Sequence, residues 1–234
     1  MKKIELLLPA LVLSTVMFGQ SANWRRFTVA AGVNTSTISG SGDDFSDIRS
    51  RTTPIYGYSA GIFGSILLRP NGLLALKAGL LVQKAGYHYE IAQSGIIYQE
   101  TDRPVYLQLP LTMVLTNKKL YAGFGEYAGL AVGGSIHTQW DYAGAFPLLP
   151  PPTNRKLVFG DQKTDDYQKW DAGLLFEAGI DFWILHAGAS YCLGLVNVVP
   201  GQLAQTVSIR NRVLTLMIGV NLEAKQAKVL PPGN

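Results

Sequence analysis

Apolar and polar residues trade places with a period of two through segment after segment of this chain. Leu107, Leu109, Leu111, Met113 and Leu115 alternate with Gln108, Pro110, Thr112, Val114 and Thr116. Leu214, Leu216, Ile218, Val220 and Leu222 alternate with Val213, Thr215, Met217, Gly219 and Asn221. Between 171 and 182, Ala172, Leu174, Phe176, Ala178, Ile180 and Phe182 alternate with Asp171, Gly173, Leu175, Glu177, Gly179 and Asp181. Successive side chains of a strand point to opposite faces, so each segment has one continuous apolar face. Glycines recur inside the segments, each costing a helix about 1 kcal/mol, and the strand reading prevails. Eight such segments run over 25–37, 54–68, 73–90, 104–116, 120–137, 169–183, 186–198 and 211–222. Most reach the roughly 9–11 residues of a tilted membrane strand. Strands of soluble sheets usually have about 5–6 residues.

The connections alternate as well. Those after the second, fourth and sixth segments are tight: Arg69-Pro70-Asn71-Gly72, Asn117-Lys118-Lys119, and a turn near Trp183-Ile184-Leu185. Those after the odd segments are long: 38–53, 91–103, 138–168 and 199–210. Short periplasmic turns and long outer loops are the pattern of an outer-membrane barrel, and here they set both termini in the periplasm. The expected fold is all-β: a closed, antiparallel, up-and-down transmembrane β-barrel of eight strands. Ten strands remain open, because the third long connection has room for a hairpin around Leu157–Phe159. Two aromatic girdles are expected at the interfaces. Tyr56, Tyr58, Tyr87, Tyr89, Trp140, Tyr142, Tyr167 and Trp170 fall on the loop side, and Trp24, Phe27, Tyr121, Phe182 and Trp183 on the turn side.

The N-terminus reads as an export signal over residues 1–22. Met1–Lys3 supply positive charge, Leu6–Phe18 an apolar core, and Gly19–Ala22 a small and polar cleavage zone, with cleavage after Gly19 or Ala22. That core is too short for a membrane-spanning helix, which takes about 20 residues. The barrel then occupies 23–222, and 223–234 form a periplasmic tail. Charged residues make up 15% of the chain, below the about 25% of ordinary soluble domains. The formal charge of +4 is small and scattered and gives no reason to expect a nucleic-acid partner. A single cysteine, Cys192, excludes an intramolecular disulfide, and its alternation with Tyr191 turns it towards the lumen.

Alternation also selects the candidate site. Lys77, Gln83, Gln108, Glu126, Asp171, Glu177 and Asp181 are expected inside, beside small residues such as Gly57, Ser59, Gly61 and Ser65. An interior eight strands wide is filled by its own side chains. Charges there must pair, because an isolated buried charge is very costly. The expectation is a salt-bridged plug rather than an ion or proton path, with no open diffusion of solutes. Ser135 and His137 share a face near the outer end of the fifth strand and are the one candidate hydrolase pair. Side chains two apart on a strand stand about 7 Å apart, and no carboxylate is identifiable to orient the imidazole. His88, His137 and His186 have no metal-ligand spacing, and no cofactor or metal is expected. A soluble lipocalin-like barrel shares the strand count, but its outer face should be polar.

Several stretches resemble the family of outer-membrane β-barrel domains that includes PorT-like proteins. They are Tyr106-Leu107-Gln108-Leu109-Pro110-Leu111 with the short basic turn that follows, Leu120–Gly129, Asp171–Asp181, Ser190-Tyr191 with Gly194-Leu195 and Asn197, and Leu216–Leu222 as the closing strand. The likeness spans nearly all of the chain after the signal. It implies a barrel in the outer membrane among lipid and lipopolysaccharide. For the PorT-like members it also implies an association with protein export, and hence contacts with other envelope or secretion proteins through the long loops.

Overall fold

The structure, a computed structural model, describes residues 26–41, 52–68, 73–93, 96–117, 119–142, 150–162, 164–201 and 207–223. The export signal, Trp24, the Arg69–Gly72 turn and the tail beyond 223 lie outside these. Among the described residues there are ten strands: β1 (Arg26–Ser41), β2 (Thr52–Leu67), β3 (Leu74–Lys84), β4 (Tyr87–Gln93), β5 (Ile96–Asn117), β6 (Leu120–Tyr142), β7 (Thr153–Lys156), β8 (Trp170–Phe182), β9 (Leu185–Gly194) and β10 (Ser208–Glu223). Eight of them close a ring in the order β1-β2-β3-β5-β6-β8-β9-β10, with every neighbour antiparallel and β10 returning to β1. Closure leaves no free sheet edge within the ring, which is what lipid demands of a spanning sheet.

The register fixes the geometry of the ring. One paired row runs Phe27, Gly64, Ala78, Leu111, Glu126, Leu174, Leu193, Arg212 and back to β1 at Thr37. It returns ten residues (37 − 27) up the strand after eight steps, so each step climbs about 1.25 residues. Such a stagger requires strands tilted by about 35–45°, and each residue then adds about 2.5 Å of height.

Two turns and one bend shape the ring. Trp183-Ile184 is a two-residue turn between Phe182 and Leu185, and Trp183 takes a φ of 61° there. A left-handed conformation at the first central residue matches the hairpin twist, at a cost of about 1–2 kcal/mol for a side chain other than glycine. Between β3 and β4 the chain bends at Gly86, whose φ is 145°. A Cβ there would meet the Asp102 carbonyl oxygen at 1.8 Å. Ser36 Oγ secures the bend, accepting from Gly86 N at 2.8 Å and donating to Gly86 O at 2.9 Å.

Beyond the ring, the end opposite the β8–β9 turn is more ordered than the sequence suggests. Residues 91–103, expected as a loop, are largely the outer half of a β4–β5 hairpin, and β6 follows β5 up to Tyr142. Tyr98 faces Trp140 across this pair, ring centroids 4.6 Å apart, and such aromatic cross-strand pairs hold a polar stretch in sheet. The long connection after β6 does not add two barrel strands. Its β7 pairs only with the top of β6, at Ser135–Thr138, and the ring stays at eight.

Leu157, just past β7, joins Ile136, Tyr167 and Val198 in a small buried core, with Tyr87, Phe159 and Ile209 packed against it. This core caps the mouth of the barrel opposite the β8–β9 turn. A register shift between Val105 and Tyr106 marks its base. Tyr106 pairs with Ala131 and Val105 with Gly133, so Val132 is an extra residue and the facing of β6 reverses above it.

Candidate functional site: the polar lumen and its cap

The lumen face is set by parity, and its polar groups form tiers from one mouth to the other. At the turn end, Arg26 Nη1 donates to Asp181 Oδ2 at 2.6 Å, and His186 Nδ1 donates to Asp181 Oδ1 at 2.9 Å. Asn221 Nδ2 also donates to Asp181 Oδ1, at 2.9 Å, and its own oxygen accepts from Thr28 Oγ1 at 2.7 Å. Tyr121 stacks on His186, its hydroxyl 3.3 Å from Nε2. The next tier joins Lys77 Nζ to Glu177 Oε2 at 2.6 Å, while Thr112 Oγ1 donates to Glu177 Oε1 at 2.5 Å. Lys77 also lies 4.8 Å from the Phe63 ring centre and 5.1 Å from that of Tyr121.

The third tier is uncharged. Gln108 Nε2 donates to Gln83 Oε1 at 3.1 Å, Gln83 Nε2 to Thr215 Oγ1 at 3.1 Å, and Asn34 Nδ2 to Ser59 Oγ at 2.9 Å. Above it, Asp171 Oδ2 accepts from Asn211 Nδ2 at 3.0 Å and from the Tyr127 hydroxyl at 3.2 Å.

Lys77, Gln83, Gln108, Asp171, Glu177 and Asp181 thus all sit in the lumen. Glu126 does not, contrary to the expectation from alternation. Tyr121, Gly123, Gly125, Tyr127 and Gly129 are the inward residues of β6, and Glu126 faces outward with Phe124 and Ala128, beside Leu111 and Leu174. Tyr121 is likewise no girdle residue. Its ring lies over Gly179 and Gly188, where an added Cβ would meet the Tyr121 hydroxyl at 2.6 and 2.2 Å. Tyr87 and Tyr167 belong to the cap rather than to an outer girdle. Tyr56, Tyr58, Trp170, Phe182 and Trp183 do point outward and are exposed, Tyr56 at 86% and Trp183 at 90%.

Little space is left inside. A void of about 30 Å³ lined by Phe63, Lys77, Gln108, Glu177, His186 and Cys192 has room for one or two waters. Cys192 is buried in this wall as a packing residue.

The cap holds a second polar cluster, which the sequence did not disclose. Tyr167 donates to Asp102 Oδ2 at 2.5 Å, and its oxygen lies 2.9 Å from the Tyr87 hydroxyl. Asp102 Oδ1 is buried without a partner. Burial, reinforced by the charge of Glu100, pushes the Asp102 carboxyl up to about 7. Burial also raises Tyr87 and Tyr167 well above the usual phenol range. Nearby, Arg155 makes a two-pronged pair with Asp166, both contacts at 2.6 Å. Partial burial pushes the Asp166 carboxyl up, but the bonds from Arg155 and the Val158 N–H outweigh it and hold it below its usual value.

Ser135 and His137 are both on β6 above the extra residue, with Ile136 between them turned into the core. They face away from the lumen, and among the described residues no hydrogen bond joins them or brings a carboxylate to His137.

The outward face matches lipid. Phe27, Val29, Ile62, Leu109, Met113, Phe124, Phe176, Leu216, Ile218 and Val220 are all exposed. A band of about ten residues' height, near 25 Å, is what a membrane barrel presents. No helix among the described residues is long and apolar enough to span a membrane. The soluble lipocalin-like alternative fails on this face.

Comparison with solved structures finds the crystal structure of Neisserial surface protein A at 15% identity and a TM-score of 0.36, over 85% of this chain and 97% of that one. The outer membrane protein OprG from Pseudomonas aeruginosa matches at 13% identity and a TM-score of 0.35, over 88% and 99%. No curated protein sequence matches. Residues 18–199 match the family described as the outer membrane protein beta-barrel domain, and with its closed ring and apolar exterior the chain belongs to that family.

Proposed function

We propose that this protein is a closed outer-membrane barrel with a structural or accessory role, serving as an anchor and interaction module rather than as a pore or an enzyme. One observation carries the reading: the lumen is filled by paired polar side chains, and its outer mouth is covered by the Ile136–Leu157–Tyr167–Val198 core. Opening a path would break the Lys77–Glu177 and Arg26–Asp181 pairs and displace that core. Stripping one partner from the buried Lys77–Glu177 pair costs about 3–5 kcal/mol.

The cap and the hairpins beyond the ring are then the part offered to other envelope proteins, with both termini in the periplasm. The resemblance to PorT-like proteins points this role towards protein export. The turns support this orientation: β8–β9 closes in two residues at one end, whereas the other end carries the β4–β5 and β6–β7 extensions.

Single-channel recording in a planar bilayer tests the reading. The folded full chain is expected to give no steady conductance steps in molar salt. Regular, reproducible steps from the unmutated protein would overturn it.

A further inference from the structure

Among the described residues, four outward-facing cations on the strands of the ring lie at nearly one height. Height can be compared between strands by following the paired rows and allowing about 1.25 residues of climb per strand. Lys84 on β3 then lies level with about residue 35–36 of β1, and Arg212 on β10 at the same level. Arg210 follows at about 37–38, and Arg103 on β5 at about 38–39. The four fall within about 10 Å of height, just above the apolar band.

They also share one arc of the wall, β5-β3-β2-β1-β10. Tyr56 and Tyr58 on β2 fill the gap between them, with Lys84 Nζ 5.8 Å from the Tyr58 ring centre. Arg212 Nη1 donates to the Gly194 carbonyl at 2.9 Å, which holds its guanidinium on the wall. Among the described residues, no outward carboxylate occupies this arc at this height. On the opposite wall the same height carries Leu130, Trp170 and Leu195, with Lys169 as its single described cation.

We propose that this belt binds the phosphate groups of lipid A in the outer leaflet. The proposal rests on the placement of the barrel with its cap outward. At that height a cation leaves hydrocarbon and meets the headgroup layer, where anionic groups of the lipid are concentrated. Guanidinium forks match phosphate oxygens two at a time, and lysine adds a mobile point charge. The exposed tyrosines supply flat surface beside the charges and hydroxyls that donate to phosphate or sugar oxygens.

The test uses the folded full chain in detergent, titrated with diphosphorylated lipid A and with phosphate-free lipid A, bound copies being counted by native mass spectrometry. The diphosphorylated lipid is expected to be retained, and affinity to fall about fivefold for each cation removed by Lys84→Gln, Arg103→Gln, Arg210→Gln or Arg212→Gln. Lys119→Gln, which removes the same charge at the turn end, is expected to change nothing. Inorganic phosphate at millimolar concentration should not displace the lipid.

Because Arg212 also holds the wall, the double variant Lys84→Gln/Arg103→Gln is read separately, with retention of heat-modifiable mobility on a gel as the folding control. Equal binding of the phosphate-free lipid, equal binding by the folded double variant, or full displacement by inorganic phosphate would each overturn the proposal. None of these outcomes depends on whether the lumen conducts.

Discussion

Removing one partner of the Lys77–Glu177 pair should cost more than removing both. The two charges meet at 2.6 Å, with side chains only 14% and 7% exposed. In Lys77→Met the stem still packs near Phe63 and Tyr121, but the Glu177 carboxylate is left with the Thr112 hydroxyl alone. A buried charge stripped of its partner costs about 3–5 kcal/mol. Glu177→Leu leaves the ammonium against two aromatic faces, each worth about 1 kcal/mol, and should cost somewhat less, about 2–4 kcal/mol.

The double variant Lys77→Met/Glu177→Leu leaves no buried charge and should lie within about 1 kcal/mol of the unmutated protein. The assay is reversible urea unfolding of the barrel in vesicles, followed by tryptophan fluorescence. An interaction energy above about 2 kcal/mol is expected from the cycle. Additivity of the two single changes within about 0.5 kcal/mol would refute the argument that the lumen is a desolvated, paired plug.

Two further outcomes follow from other parts of the molecule. Burial lifts the Asp102 carboxyl from 3.8 to about 7, so the folded cap takes up a proton that the unfolded chain gives up. Its contribution to stability is therefore complete below about pH 4 and lost as pH rises through 7. Hydrogen-exchange protection in β4, β5 and residues 157–167, taken relative to the intrinsic rate at each pH, should fall between pH 4 and pH 7, and Asp102→Asn should flatten that dependence; a cap whose protection rises with pH would contradict it. Glu126 faces lipid about midway up the wall, level with Gly32 of β1, so Glu126→Leu should stabilise the barrel in vesicles by about 1–2 kcal/mol. A loss of stability on that change would return Glu126 to the lumen.

Much of the ring was legible because one face of most strands is uniformly apolar. The leucines of β5 and β10, with Leu174, Phe176 and Ile180 of β8 and Ile218 and Val220 of β10, mark the lipid side, and that places Gln108, Asp171, Glu177 and Asp181 inside. In β6 the same reasoning misleads. Its inward face alternates tyrosine with glycine, so it carries no more polarity than the outward face that holds Glu126. Which face is inside is decided there by fit: Tyr121 needs the bare backbone of Gly179 and Gly188 on two other strands.

Tyr121 was mistaken for an interfacial residue for the same reason, since nearness to a strand end does not disclose facing. The cap was hidden because its contacts join residues far apart in the chain, Tyr87, Ile136, Leu157, Tyr167 and Val198. The polar composition of 91–103 looks like a loop, and pairing with β4 and β6 makes it sheet. The single extra residue at Val132 has no sequence signature, yet it decides that Ser135 and His137 face outward.

Closure of the ring through β1 and β10 is the claim on which the rest depends. Val33 and Leu216 are directly paired across that seam, both facing lipid. Directly opposed strand residues stand about 4.5–5.5 Å apart at Cα, within reach of a disulfide. In the membrane-embedded protein, Val33→Cys/Leu216→Cys should cross-link on oxidation in high yield, with Val33→Cys/Val220→Cys, four residues out of register, giving little. No cross-link at 33–216, or equal yields at the two spacings, would contradict a closed eight-stranded barrel with this register.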